Sequence, residues 1–183
     1  MADHRENLVR LLKRDALQFG DFVLASGKRS HFYIDCRTVT LSAEGAAVVG
    51  QAILELLEQE TFDAVGGMTL GADPILSAVL TVAGLRGQSL RGFIVRKEAK
   101  EHGTGKLVEG PLHQGDRVII VEDVSTTGGS ALKAVDAAIA AGATVVRVVT
   151  LLDRQSGARE AFESRGIPFS ALATSADLGL PTS

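Results

Sequence analysis

The chain has 183 residues, 45% hydrophobic, 22% charged and only 4% aromatic, and its 19 basic and 22 acidic residues leave a formal net charge of −3. That length suits one domain with a core large enough to close, while the acidic balance argues against a general basic surface for nucleic acid. Twenty glycines against four prolines argue against disorder, and the single Cys36 excludes a disulfide framework or a cysteine-rich zinc site, which points to a reducing compartment.

The opening MADHRENLVRLLKRD is charged throughout, with no apolar run of signal-peptide length. Asp3 and Glu6 have capping-box spacing and Leu8, Leu11 and Leu12 recur at helical period, so a helix is predicted here, its unit ended by Gly20. Two β-rich runs, Phe22-Val23-Leu24 and Phe32-Tyr33-Ile34, flank the polar turn SGKRS. Ser42 then caps a helix with Ala46, Val49, Ile53 and Leu56 on one face. Strands are predicted at Ala64-Val65, Gly92 to Val95, Val118 to Val121, Val145 to Leu152 and Phe169 to Leu172. Helices are predicted from Pro74 to Ala83, from Ala131 to Ala141 with Gly142 as the stop, and near Ala158 to Arg165. Residues 97 to 115 are polar, Gly-rich and aperiodic. Alternation of this kind builds βαβ units, hence an α/β fold whose central, mainly parallel sheet is flanked by helices. With no linker or repeat, residues 1–183 read as a single domain. No run of about 18 apolar residues could span a membrane, so a soluble, cytoplasmic protein is expected.

Ligands of such sheets bind beyond the carboxyl ends of the strands, and three segments lie there: residues 66–73, 96–110 and 122–130. In VIIVEDVSTTGGS an apolar strand runs into Glu122 and Asp123, and then Ser125, Thr126, Thr127, Gly128, Gly129 and Ser130 lead into a helix. Small residues let successive backbone N–H groups converge on an anion, and the helix start adds partial positive charge. This is a phosphate cradle without a lysine. The paired carboxylates would repel a second phosphate and suit sugar hydroxyls or a phosphate-bound divalent cation. Neither a P-loop nor a GxGxxG turn is present, which removes support for nucleoside triphosphates and dinucleotides. RKEAKEHGTGKLVEG gathers Arg96, Lys97, Lys100, His102 and Lys106 among glycines, the composition of a lid over a di-anion. Its interleaved Glu98, Glu101 and Glu109 fit a solvated surface loop equally well. GGMTLGADP offers backbone N–H groups around Gly66, Gly67 and Gly71 for a phosphate, or is a plain turn. Arg154 could clamp a carboxylate bidentately or pair with Asp153 or Glu160, and Cys36 reads as buried packing rather than a nucleophile.

VIIVEDVSTTGGS resembles the phosphoribosyl pyrophosphate signature of type I phosphoribosyltransferases, and RKEAKEHGTGKLVEG is similar to the mobile catalytic loop of their orotate branch. FGDFVLASGKRSHFYID and the DR of LLDRQSG extend the resemblance over roughly residues 17 to 160, in matching order. It implies the type I phosphoribosyltransferase fold, with a core of about 42–155 under a small hood built from about 1–40 and the C-terminal segment. It also implies transfer of ribose 5-phosphate from phosphoribosyl pyrophosphate to N1 of orotate in pyrimidine synthesis. Mg²⁺ is the expected cofactor, held mainly by the donor and water rather than directly by side chains. A homodimer that shares its mobile loop between subunits is expected, with no nucleic-acid partner. By position, Ser125, Thr126, Thr127, Gly128, Gly129 and Ser130 would hold the 5′-phosphate, and Glu122 and Asp123 the ribose hydroxyls. Arg96, Lys97, Lys100 and His102 would bind pyrophosphate, together with the loop Thr69, Leu70, Gly71, Ala72 and Asp73. Lys28, Phe32, Tyr33, Thr126 and Arg154 would contact orotate, Arg154 at its carboxylate. Many family members place a lysine in that pyrophosphate loop; this chain has none between residues 66 and 74.

Overall fold

The computed structural model describes residues 4–23, 27, 29–98 and 107–181. In chain order these form α1 (His4–Leu11) with a wide π-type turn (Leu12–Ala16), β1 (Leu17–Val23), β2 (Arg29–Ile34), α2 (Arg37–Thr40), α3 (Ala43–Leu56), β3 (Ala64–Met68) and α4 (Ala72–Leu85). They continue as β4 (Arg91–Val95), β5 (Val108–Glu109), β6 (Arg117–Ser125), α5 (Gly129–Ala140), β7 (Thr144–Asp153), α6 (Ala158–Glu163), β8 (Phe169–Thr174) and a 3₁₀ turn (Ala176–Leu178). One six-stranded sheet runs β5-β4-β3-β6-β7-β8, parallel except for the two-residue edge strand β5, and β1 and β2 form a separate antiparallel hairpin. The expected α/β class is therefore found.

Period-2 alternation divides the sheet's side chains between two apolar layers. Val65, Ile119 and Val121 join α1, α3 and α4 on one face. Ala64, Val118 and Ile120 join α5 and α6 on the other. A strand buried on both faces has no polar alternation to show, which is why Val118 to Val121 reads as an unbroken apolar run.

Several boundaries move. Gly20 does not end the first unit: it lies inside β1, where the hairpin register shifts between Phe19 and Phe22. The Ser42 cap forms as expected, its Oγ accepting the Gly45 N–H at 3.0 Å. The buried stripe of α3, however, runs through Val49, Ala52 and Ile53 to Leu57, leaving Leu56 exposed. Within residues 97–115 the aperiodic sequence hides β5, whose pairing with Ile94 and Val95 is too short to leave a pattern. Asp3, half of the expected capping box, lies outside the described residues.

Candidate active site

β6 extends further than its apolar run. Glu122, Val124 and Ser125 still pair with Thr150, Leu152 and Asp153 of β7, so the two carboxylates stand within the strand and not in a loop beyond it. Alternation then sends them apart: Glu122 continues the Val118–Ile120 side towards α5, and Asp123 the Ile119–Val121 side towards α4.

On the α5 side, Glu122, the residues from Val124 to Ser130, and Lys133 surround a cavity of about 330 Å³. Gly128 turns the chain into α5 with φ +80°, and a Cβ there would press on the Phe162 ring at 3.0 Å, so only glycine serves. No side chain caps α5, which leaves its first N–H groups open to the cavity. The Ser125 hydroxyl is buried and has no partner among the described residues. An anion answers each of these features. The cradle does have a lysine, contrary to the reading of the turn alone. Lys133 lies three residues after Ser130, and i,i+3 spacing places both on one helix face, a signal the sequence did contain.

On the α4 side a second cavity, about 220 Å³, is lined by Arg37, Met68 to Gly71, Lys97, Glu122, Asp123 and Ser130. Glu122 and Ser130 thus border both cavities. A third, about 610 Å³, continues outward past Thr69, Leu70, Arg96 and Lys97. Of the expected diphosphate loop, Thr69, Leu70 and Gly71 face these cavities, whereas Ala72 is buried beneath. Asp73 braces the loop, its Oδ2 accepting from the Thr69 hydroxyl at 2.8 Å. Gly71 has ordinary helical φ, yet a Cβ on it would stand 2.6 Å from Asp123 Oδ1. Gly71→Ala is therefore expected to displace loop or carboxylate and to raise KM for the phosphorylated substrate at least about tenfold, read by steady-state kinetics.

Glu122 is 6% exposed, and its Oε2 lacks a partner among the described residues. Burial, reinforced by the adjoining Asp123 carboxyl, pushes its pKa up to about 8. Asp123 is half-buried and its Oδ1 accepts the Val124 N–H at 2.8 Å.

Arg154 follows β7 at the same sheet edge, its N–H bonded to Ser125 O at 2.8 Å. Its guanidinium lies 4.9 Å from the Phe32 ring centroid, and its Nε is buried without a partner among the described residues. Burial holds its pKa below the ordinary arginine value. Neither Asp153 nor Glu160 takes it up: Asp153 Oδ1 accepts the Gln155 N–H instead. Phe32 and Tyr33 occupy opposite faces of β2; Tyr33 turns away to pack on Phe22, with centroids 5.7 Å apart. Cys36 is 1% exposed and burial raises its thiol pKa, as suits a packing residue. Lys28, Lys100, His102 and Lys106 lie outside the described residues. A larger cavity, about 800 Å³, sits at the opposite edge of the sheet between the ends of α3 and α4 and contains none of these groups.

Two cavities that meet at Glu122 and Ser130, beside an arginine that has no ion-pair partner among the described residues and lies over a phenyl ring, suit a sugar with phosphate groups at both ends next to a planar anion. The family model "Phosphoribosyl transferase domain" matches residues 40–164. The orotate phosphoribosyltransferase of Thermosynechococcus vestitus is 51% identical over 179 residues, covering 97% of this chain and 94% of that protein. The crystal structure of Mycobacterium tuberculosis orotate phosphoribosyltransferase in complex with Fe(III) dicitrate superposes with TM-score 0.88 at 41% identity, covering 97% of this chain and 99% of that one. The same enzyme in complex with 5-phospho-alpha-D-ribosyl 1-diphosphate gives TM-score 0.82 at 38% identity over the same shares. Matched by a family model over most of its length and by such relatives over nearly all of it, the chain belongs to the orotate phosphoribosyltransferases.

Proposed function

We propose that this site transfers the ribose 5-phosphate group of 5-phosphoribosyl 1-pyrophosphate to N1 of orotate, giving orotidine 5′-monophosphate and pyrophosphate in pyrimidine synthesis. The observation that carries the reading is the meeting of the two cavities at Glu122 and Ser130. The cradle from Ser125 to Ser130, with Lys133, takes the 5′-phosphate. Glu122 and Asp123 hold the ribose hydroxyls between the cavities. Thr69, Leu70, Gly71, Arg96 and Lys97 receive the diphosphate. Arg154 pairs with the orotate carboxylate while Phe32 lies against the ring, and Lys28 and Thr126 complete that end.

As the C1′–O bond breaks, the ribose gains oxocarbenium character and the leaving diphosphate gains negative charge. Cationic side chains beside the diphosphate therefore act more strongly on the transition state than on the ground state. Orotate is already an anion, so orientation of N1 outweighs any need for a strong base. Lys100 and His102 of the catalytic loop add charge at the leaving group. A bound Mg²⁺ would neutralise diphosphate oxygens, and the oxygen-only donors Glu122 and Asp123, the first with an Oε2 that has no partner among the described residues, fit it. Among the described residues no three His, Cys, Asp or Glu side chains form a metal cage; as the family resemblance implies, donor oxygens and water would supply most of the coordination.

The hairpin β1–β2 carrying Phe32, with the C-terminal segment, serves as the hood of a single domain. A homodimer sharing its loop fits the apolar groove of about 570 Å³ between α3 and α4, beside the exposed Leu41 and Leu85. Among the described residues no helix is long and apolar enough to cross a membrane, and we place the reaction in the cytoplasm. Purified protein given orotate, the donor and Mg²⁺ should consume orotate with equimolar release of pyrophosphate. Absence of turnover at any concentration of the donor would overturn the assignment.

A further inference from the structure

The diphosphate cavity has a charge problem. The loop from Thr69 to Asp73 carries no cationic side chain, and Asp123 and Glu122 on the same wall repel a polyanion. Among the described residues lining it, positive charge comes from Lys97 and Arg37 alone. We propose that Arg37 binds the diphosphate directly, supplying the cation that the loop lacks. This deepens the phosphoribosyl-transfer reading and rests on it.

Arg37 is built to present its guanidinium. Asp35 Oδ1 accepts the Arg37 backbone N–H at 3.0 Å and its Nε–H at 2.8 Å, while Asp35 Oδ2 accepts from Nη2 at 2.9 Å. One carboxylate thus fixes both the turn into α2 and the arginine head. These side-chain bonds use two of the five guanidinium N–H groups, so the fork keeps donors for a second, oxygen-rich partner. The base of the arm is anchored on either side. Cys36 and Val39 are buried in the core, and the Thr38 hydroxyl has Asp15 O at 2.9 Å and Asp35 O at 2.7 Å as acceptors for its single proton. A head held in place before the ligand arrives loses little side-chain entropy on binding. The side chain is 46% exposed, and an exposed pair of this kind adds little to fold stability, so holding the fold does not explain so well-positioned an arginine. Facing the leaving group, its contribution grows as the C1′–O bond breaks.

The test is steady-state kinetics in both directions on the full-length protein, with thermal melts as the control for folding. In the reverse reaction, Arg37→Ala should raise KM for pyrophosphate at least tenfold and leave KM for orotidine 5′-monophosphate within about twofold. The forward reaction should show the matching rise in KM for the donor with KM for orotate unchanged. Arg37→Lys, which keeps the charge but not the fork, should recover part of the loss, and it serves as the reporting variant if the alanine protein melts early. An unchanged pyrophosphate KM in an active enzyme would overturn the role of Arg37 alone, as would equal rises for both reverse substrates, the mark of a structural defect. Wild-type protein without orotate turnover would instead overturn the underlying reaction, and this assignment with it.

Discussion

Arg154→Ala should lower kcat/KM for orotate by about 10²–10³-fold, since truncating one partner of a buried, hydrogen-bonded charge pair costs roughly 2–5 kcal/mol. The argument starts from what the arginine lacks. Its Nε is buried with no partner among the described residues, and burial already holds its pKa below the ordinary value. The ligand-free protein therefore keeps a cation whose hydration is partly removed and not replaced. Orotate offers a planar carboxylate that fits a guanidinium bidentately, so binding restores the hydrogen bonds the fold gave up. The Arg154 N–H bond to Ser125 and the Phe32 ring at 4.9 Å hold the guanidinium in place, and on the proposed reading they would set where that carboxylate lands, hence where N1 points.

Two controls separate this role from a structural one. Because alanine removes a half-buried charge that has no ion-pair partner among the described residues, the melting temperature should hold or rise, whereas loss of a structural ion pair would lower it. Arg154→Lys should rescue poorly, since a point charge cannot reproduce the fork. KM for the ribose donor should change little. An orotate KM equal to wild type would remove Arg154 from the acceptor site.

How much of this was legible beforehand depends on whether the signal was local. The carboxylates and the small-residue turn before α5 are consecutive in the chain, so residues 122–130 could be read as an anion site directly. Lys133 needed the helical period carried one turn past the glycines. Arg37 left no such mark: it opens a four-residue helix, and it reaches the site only because β3, α4 and β6 bring the loop from Thr69 to Gly71 against Asp123. The separation of Phe32 from Tyr33 was implicit in strand alternation, but a pair of adjacent aromatics invites being read as one patch. Gly71 read as a source of backbone N–H groups or a plain turn, while its real constraint is space beside a carboxylate fifty-two positions away, which no local pattern encodes.

Glu122→Gln should abolish a pH dependence of stability that wild type carries between about pH 5 and pH 9. Burial, helped by the Asp123 carboxyl, moves the Glu122 pKa from 4.5 in an unstructured chain to about 8 in the fold. Below pH 4.5 both states hold the proton and the residue contributes nothing to the dependence. As pH rises from 4.5 towards 8, the unfolded chain releases its proton while the folded protein keeps it, so the unfolded state gains relative stability. Above about 8 the folded protein ionises too and the loss reaches its limit. At 1.36 kcal/mol per pKa unit, that limit is of the order of 3–5 kcal/mol. Glutamine has nearly the same shape and never ionises, so the variant escapes the penalty. The two proteins should melt together near pH 4–5, and at pH 9 the variant should melt about 10 °C higher, given roughly 2–4 °C per kcal/mol for a domain of this size. The difference between the proteins is the quantity to follow, because other groups titrate equally in both. A gap that stays constant with pH, or one in which wild type becomes the more stable protein at pH 9, would show that Glu122 is not held neutral in the ligand-free fold.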